Sequence, residues 1–544
     1  MKKRILVLSE ATFLNTGYAV YCKELISGLS KNSNYEVAEL ATCAMPACEQ
    51  DNRILSIPWR VYPNIPHPNN HRELEEYKSH PVNGFGAFTF ERVCLDFKPH
   101  VVCSIRDYWM DSFVDNSPFR KLFKWIWMPT VDAECQNEQW LDCYNRCDKV
   151  LTYNDWSGKQ LLKETNNKIT WSGSAPPSIN NAFKPLDKKS IKKQLGFDEN
   201  INIIGTVMRN QRRKLYPDLF ESFRNFLNIS KNVNTFLYCH TSYPDNNGWD
   251  IPFYLKKYDL GNRVLFTYVC DKCGYVFPAF FNDTITICNR CGGISATLAA
   301  VQKGPDSNIM NLIYNLFDLY IQYANSEGFG IPMVEAAACG VPLMAVNYSA
   351  MEDVLLKLNG IPVNVLAKTP ELETGCLRAI PDNKDCTQKL INFFSLSEYE
   401  RQKIAENTKK LQLQHYNPEN SIKQWEKAID SCPINDLWQS QPNLHNIPNG
   451  LPPDTISNRD YVKWLISNVL GDNSKLNTYM ELRMLRDVTF GAASRGIGGM
   501  YFNEEAQQFV RPTYEQFTRR DAYNTMRGLG ERKNHWERIR CGIK

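Results

Sequence analysis

Two successive rounds of short apolar runs, separated by amphipathic stretches, constrain this chain more than any other feature. RILVL leads into a helical pattern through YAVYCKELISGLS, and HVVCSI, WIWMP and KVLTY follow, the last running into WSGKQLLKET. The rhythm restarts at INIIGTV and continues through PDLFESFRNFL, TFLYCH, RVLFTYV and NIMNLIYNLFDLYIQYA. Apolar runs of that length suit strands buried on both faces, and the helices between them supply the crossovers that parallel strands need. The predicted fold class is therefore α/β, with two Rossmann-like domains over residues 1–185 and 186–430. Tandem sheets of this kind bind ligands in the cleft at the carboxyl ends of their strands.

At 544 residues the chain is too long for a single core. Residues 431–455, rich in Pro and Asn, read as a linker, and residues 456–544 as a mostly helical extension. The start, MKKRILVLSEATF, has only Ile5 to Leu8 as an apolar run, too short for a signal peptide. No run approaches 18 apolar residues, so no membrane span is expected. Eighteen cysteines lie scattered through apparent core elements such as Cys22, Cys94, Cys103, Cys239 and Cys339. That pattern fits reduced thiols and a cytoplasmic protein. The net charge is +4, yet Arg511–Lys544 holds nine Lys/Arg against four Asp/Glu, a basic tail.

The segment YANSEGFGIPMVEAAACGVP, residues 323–342, places Glu327 and Glu335 around a Gly-Phe-Gly-Ile-Pro turn that opens a helix. Pro332 suits a first helical turn, whose amides lack internal partners. Gly328 and Gly330 admit close backbone approach, and Glu335 lies about two turns on. Two acids so placed would bracket an elongated ligand, and a sugar nucleotide has the needed parts.

Glu327-Gly-Phe-Gly-Ile-Pro-Met-Val-Glu335 followed by Ala-Cys-Gly-Val-Pro resembles the E-x7-E segment of retaining glycosyltransferases of the GT-B fold, family 4 in particular. The resemblance implies that Glu327 sits at the donor sugar and Glu335 holds the nucleotide ribose. It also implies donor contacts from Gly328, Phe329 and Gly330. GTVMRNQRRK resembles the family's diphosphate clamp, with Arg209 and Lys214 five apart after a buried strand and Arg213 as an additional candidate. An Arg fork and a Lys point charge suit a departing pyrophosphate. Gly17, in Asn15-Thr16-Gly17-Tyr18, stands where the family has its N-terminal glycine loop. The resemblance covers roughly residues 1–425 and makes the first domain the acceptor side. No D-x-D occurs, which agrees with metal-independent donor binding. Where the family has a His-rich segment, this chain has CSIRDYW, so Arg106, Asp107 and Tyr108 stand there. WIWMPTVDAE adds Asp132 and Glu134 at another strand end. For Asp107 and Asp132, a catalytic role and helix capping are both open readings.

Cys270-Asp-Lys-Cys273 and Cys288-Asn-Arg-Cys291 form two C-x2-C knuckles, each followed by Gly. The spacing predicts a structural zinc ribbon over residues 267–296, inserted straight after strand RVLFTYV. Four thiolates leave no open position, so such a zinc would not be catalytic.

These features predict a nucleotide-sugar-dependent transferase, hexosyl or pentosyl, with DNA as the preferred partner. The ribbon, and the tail's basic residues interleaved with Tyr514, Phe517, Tyr523 and Trp536, favour a 5-hydroxymethylpyrimidine in DNA as acceptor. The arrangement looks like that of bacteriophage glycosyltransferases, which would place it in a bacterial host cytoplasm. The alternatives are a polysaccharide, lipid-linked glycan or protein acceptor, and a non-catalytic nucleic-acid-binding or assembly protein on a transferase fold.

Overall fold

The computed structural model describes residues 2–434 except 15, 46–56, 118, 232–233, 283 and 301–303. Beyond these it describes 438, 457, 461–464 and short strands at 492–493, 501–503, 508–510 and 514–515. Apart from the short strand at 514–515, the basic tail, with most of the predicted helical extension and linker, lies outside the described residues. The chain forms two compact units. One comprises Met1–Pro129, Asp142–Val150 and Trp425–Lys544, the other Thr130–Leu141 and Leu151–Gln424.

In the first unit the predicted apolar runs are strands β1 (Lys3–Glu10), β4 (Val101–Ser104), β5 (Lys124–Trp127) and β6 (Lys149–Thr152), and the structure adds β2 (Tyr35–Thr42) and β3 (Arg60–Pro63), which the sequence reading did not single out. They run in the order β3-β2-β1-β4-β5-β6, and every pair is parallel. Ile5, Leu6, Val7 and Leu8 are fully buried, as a central strand covered on both faces requires. Trp125 stacks on Trp127 at 4.8 Å. The chain returns to this unit in the helix Pro418–Asp430, the last long one among the described residues. There the Trp425 indole donates to the Tyr21 hydroxyl (2.8 Å), and Lys3 Nζ to the carbonyls of Ile429 and Cys432 (both 2.9 Å).

The second unit carries β7 (Trp171–Ser174), β8 (Asn202–Val207), β9 (Thr235–His240), β10 (Val264–Cys270), β11 (Val276–Phe280), β12 (Thr286–Ile287), β13 (Ile294–Leu298), β14 (Leu319–Gln322), β15 (Leu343–Val346) and β16 (Ile361–Val363). Its sheet order is β12-β13-β10-β9-β8-β14-β15-β16, with β11 also paired to β10. The strands from β10 to β16 in that order are parallel to their neighbours, while β11, β12 and β13 are antiparallel additions. A separate hairpin follows, β17 (Val365–Pro370) with β18 (Leu377–Pro381).

Both sheets have a topological switch point. In the first, β1 is flanked by β2 and β4; in the second, β8 is flanked by β9 and β14. A crevice opens at such a point because the connections leave the sheet in opposite directions.

Packing around β8 is tight enough to specify a glycine. A Cβ on Gly205 would overlap the ring of Phe317, which is fully buried. Gly205→Ala should therefore destabilise the fold by about 1–3 kcal/mol, the usual range for overpacking. The measurement is the denaturant midpoint, and an unchanged midpoint would contradict this contact.

Candidate active site

The loops after β8 and β14 meet at the second unit's switch point and are zipped together by their backbones. Leu215 N–H donates to Tyr323 O, and Asn325 N–H to Arg213 O, both at 2.9 Å. This pairing carries Arg213 and Lys214 onto Glu327. Arg213 donates to Glu327 Oε2 at 2.8 Å, and the Lys214 ammonium contacts Oε1 directly. Gln322 also donates to Oε1, and the Ser349 hydroxyl accepts the Glu327 N–H at 2.9 Å. Glu327 and Lys214 are buried, while Arg213 keeps 41% of its side chain exposed. Burial pushes the Lys214 ammonium well below its usual range and Arg213 adds to that, while Asp132 opposes it.

Arg209 reaches the same edge but turns to the loop after β9, where its Nε donates to Asp245 at 2.8 Å. That hydrogen bond holds Asp245 below the usual carboxylate range. Half of the Arg209 side chain remains exposed.

Gly330 has φ +88°, a left-handed conformation suited to glycine, and caps the helix Ile331–Ala338 with no side-chain partner for its first amides. Gly328 packs against Thr130, and its carbonyl accepts from Asn154 at 3.1 Å. The Phe329 ring is buried and edge-on to Tyr416 at 5.8 Å, so its backbone is what it can offer a ligand. Glu335 accepts a 2.6 Å hydrogen bond from the buried Tyr314 hydroxyl, yet burial pushes its pKa up to about 7.

Asp132 belongs to this unit and to this site. It pairs with Arg378 of β18 at 2.8 Å and accepts from Ser326 Oγ at 3.3 Å. Arg378 also donates to Ser326 Oγ (2.6 Å) and Glu371 (2.7 Å). Glu134 pairs with Lys368 of β17 at 2.7 Å, so the hairpin holds the whole 132–134 segment. Asp132 thus works as an ion-pair partner and caps no helix.

Gly17 and Asp107 lie in the first unit, at its own switch point. Asp107 occupies an N-cap position without a capping bond and accepts from the Tyr18 hydroxyl at 3.0 Å. Of its neighbours, Arg106 is fully buried in hydrogen bonds to Asp111, Thr42 and the Phe85 carbonyl, and Tyr108 is buried too. Their side chains are structural.

Sequence reasoning missed Asp245, Arg378, Gln322 and Ser349. Ser349 lies after β15 at the N-cap of the helix Ala350–Leu358, where its backbone (φ +55°) is strained for a serine.

The four cysteines do converge. Cys270, Cys273, Cys288 and Cys291 place all four Sγ atoms within 4.8 Å of one another. Cys270–Cys291 and Cys273–Cys288 are each 3.7 Å apart. Both knuckles turn alike, with Gly274 N–H donating to Cys270 O and Gly292 N–H to Cys288 O, each glycine at positive φ.

Residues 293–411, which include both glutamates, match the family described as glycosyl transferases group 1. No curated protein matches the chain in sequence. Among solved structures, sucrose-phosphate synthase from Thermosynechococcus elongatus superposes with TM-score 0.54 at 15% identity, covering 79% of this chain and 99% of that one. A glycosyltransferase from Rickettsia africae gives 0.54 at 14%, covering 79% and 98%. The Anabaena protein HepE, solved with UDP and glucose, gives 0.51 at 13%, covering 79% and 100%. At these identities the likeness establishes the fold. The chain is an α/β protein with glycosyltransferase structural neighbours of the GT-B type, and its segment 293–411 matches the glycosyl transferases group 1 family.

Proposed function

We propose that the protein is a retaining glycosyltransferase that uses a nucleotide-sugar donor. One observation carries the reading: Arg213 and Lys214 converge on Glu327 at the β8/β14 switch point, with Arg209 at the same edge on Asp245, beside a helix start that no side chain caps. The UDP named with the HepE structure supports a diphosphate ligand for this edge.

The chemistry follows from charge. As the sugar–phosphate bond breaks, negative charge builds on the diphosphate and positive charge on the anomeric carbon. Arg209, Arg213 and Lys214 stabilise the first, and a guanidinium fork is pre-shaped for phosphate oxygens. Glu327 orients sugar hydroxyls and opposes the second, while the amides at 328–330 hold the sugar. The acceptor hydroxyl attacks from the leaving-group side and passes its proton to the departing phosphate. Glu335 receives the ribose diol, and Gly17 and Asp107 are retained as acceptor-side candidates.

The ribbon residues fit zinc. A tetrahedral site with metal–sulfur bonds of about 2.3 Å has sulfur–sulfur edges of about 3.8 Å, close to the 3.7 Å spacings here. The Ser295 hydroxyl lies 3.1 Å from Cys270 Sγ, and the Arg290 N–H donates to Cys288 Sγ at 3.4 Å, as outer partners of thiolates do. Bound there, zinc would supply folding free energy and no catalysis.

For the acceptor we retain a 5-hydroxymethylpyrimidine of DNA as the finer reading. What supports it among the described residues is a ribbon that rises from the carboxyl edge of the donor-site sheet, straight after β10. Polysaccharide, lipid-linked glycan and protein acceptors are the competing outcomes of one screen. Common nucleotide sugars are incubated with hydroxymethylated DNA, plain DNA and glycan, lipid and protein acceptors, and products are read by mass. Sugar on hydroxymethylated nucleosides alone is the expected result. Sugar only on another acceptor overturns the DNA reading, and neither transfer nor donor hydrolysis anywhere overturns the enzyme.

Two further outcomes are expected. Arg209→Ala and Lys214→Ala should each cut turnover by about 10²–10³, the range for losing one transition-state donor. Near wild-type rates in both would remove the clamp. Donor binding should also tighten as pH rises from 6 to 8. Glu335 is protonated below about 7 and becomes a full acceptor for the ribose hydroxyls only above it. Calorimetry at both pH values checks this, and Glu335→Gln should flatten the dependence.

A further inference from the structure

The loop after β9 is bonded to the clamp along its whole length. Beyond the Arg209–Asp245 pair, Asn247 O accepts from Arg212 N–H at 3.0 Å. Asn210 exchanges two 2.9 Å bonds with the backbone of Trp249, and the Trp249 indole donates to Lys214 O at 2.8 Å. Gly248 approaches Asn210 so closely that a Cβ would meet it at 2.6 Å. Residues 245–249 are thus the mould in which 209–214 are set.

The start of that loop packs on the ribbon. The Tyr243 ring meets Phe281 edge-on at 5.6 Å, and Phe281 in turn lies 5.3 Å from Phe266 of β10. Phe281 is held from both sides of its backbone by the buried Tyr268. That hydroxyl lies 3.4 Å from Phe280 O and 3.0 Å from Asn282 O, and accepts the Asn282 N–H at 2.7 Å. Tyr268 stacks on Phe277 of β11, and Phe277 on Tyr275 at the end of the first knuckle. The β10–β11 hairpin that places Phe281 is closed at its tip by Cys270 and Cys273, with Cys270 N–H donating to Tyr275 O at 3.0 Å.

We propose that the four-cysteine ribbon braces the diphosphate clamp, with Phe281 and Tyr243 as positioning residues that hold the 243–249 loop and through it Arg209 and Lys214. The inference rests on the donor-site reading above. It gives the insertion a task within the transferase fold that does not depend on which acceptor is used. A metal on the four thiolates fixes the hairpin tip, the hairpin fixes Phe281, and the Phe281–Tyr243 contact fixes the mould.

The test uses the full chain once elemental analysis has established about one zinc per chain, with inorganic pyrophosphate and UDP as calorimetric probes. Phe281→Ala and Tyr243→Ala should each weaken pyrophosphate binding roughly three- to tenfold, in the range of couplings carried by packed side chains. The double variant should do little more than either alone, because both remove one contact. Ile294→Ala, on the exposed face of the ribbon, should leave binding unchanged. Stripping the zinc with a chelator should speed hydrogen exchange in peptides covering 243–249. If Phe281→Ala does not fold, Phe281→Leu and Tyr243→Ala decide. Wild-type pyrophosphate binding in the Phe281 and Tyr243 variants, lost only in Arg209→Ala, overturns the brace and leaves the donor site standing. A wild-type chain that binds neither probe overturns both.

Discussion

The buried pair of Lys214 and Glu327 is the interaction on which the site depends. Burying two charges costs several kcal/mol each before any attraction is counted, so the pair persists only where its surroundings complete its bonding. Arg213, Gln322 and Ser349 do so here, each from a different segment. The result joins the loops after β8 and β14 at the one place in the sheet where they would otherwise diverge. A lone Lys214 or a lone Glu327 would leave an uncompensated charge in the core of the unit. The pair therefore shapes the crevice as well as lining it.

The hairpin of β17 and β18 extends the same logic. It follows the last parallel strand and brings Arg378 against Asp132 and Ser326, and Lys368 against Glu134. Tyr348 ties the two sides further, its hydroxyl accepting from Glu134 N–H and donating to Leu377 O. Through these contacts Asp132 comes to the edge where the loops after β8 and β14 meet.

What the sequence made legible had local signatures. The strand rhythm needs only neighbouring residues to be apolar, and both sheets follow it. The E-x7-E spacing is a turn and two helical turns, and the C-x2-C pairs are single knuckles. What it hid was contact between segments far apart in the chain. Asp245 meets Arg209 across 36 positions, and nothing near Pro244 or Asn246 marks it as a clamp partner. Arg378 lies in an ordinary-looking hairpin more than 240 positions from Asp132. Phe329 reads as part of a ligand turn because its neighbours are glycines, yet its ring is anchored by Tyr416, almost 90 residues on. Arg106 reads as a charged group at a strand end, and only Asp111, Thr42 and the Phe85 carbonyl explain its burial.

The edge assembled from these loops is electrically quiet. Its cations are Arg209, Arg213, Lys214 and Arg378, and its carboxylates are Asp245, Glu327, Asp132 and Glu371, each in contact with one of those cations. These four cations and their four paired carboxylates cancel formally, and Glu335, its pKa pushed up to about 7 by burial, adds negative charge only as pH rises past that value. Such a surface casts little potential beyond a Debye length, so it does not draw anions from a distance. Selection happens at contact, by exchange of partners, and favours ligands able to replace a carboxylate on Arg209 or Arg213 with two oxygens at once. By charge alone, the arrangement favours ligands that present two or more anionic oxygens over small monoanions.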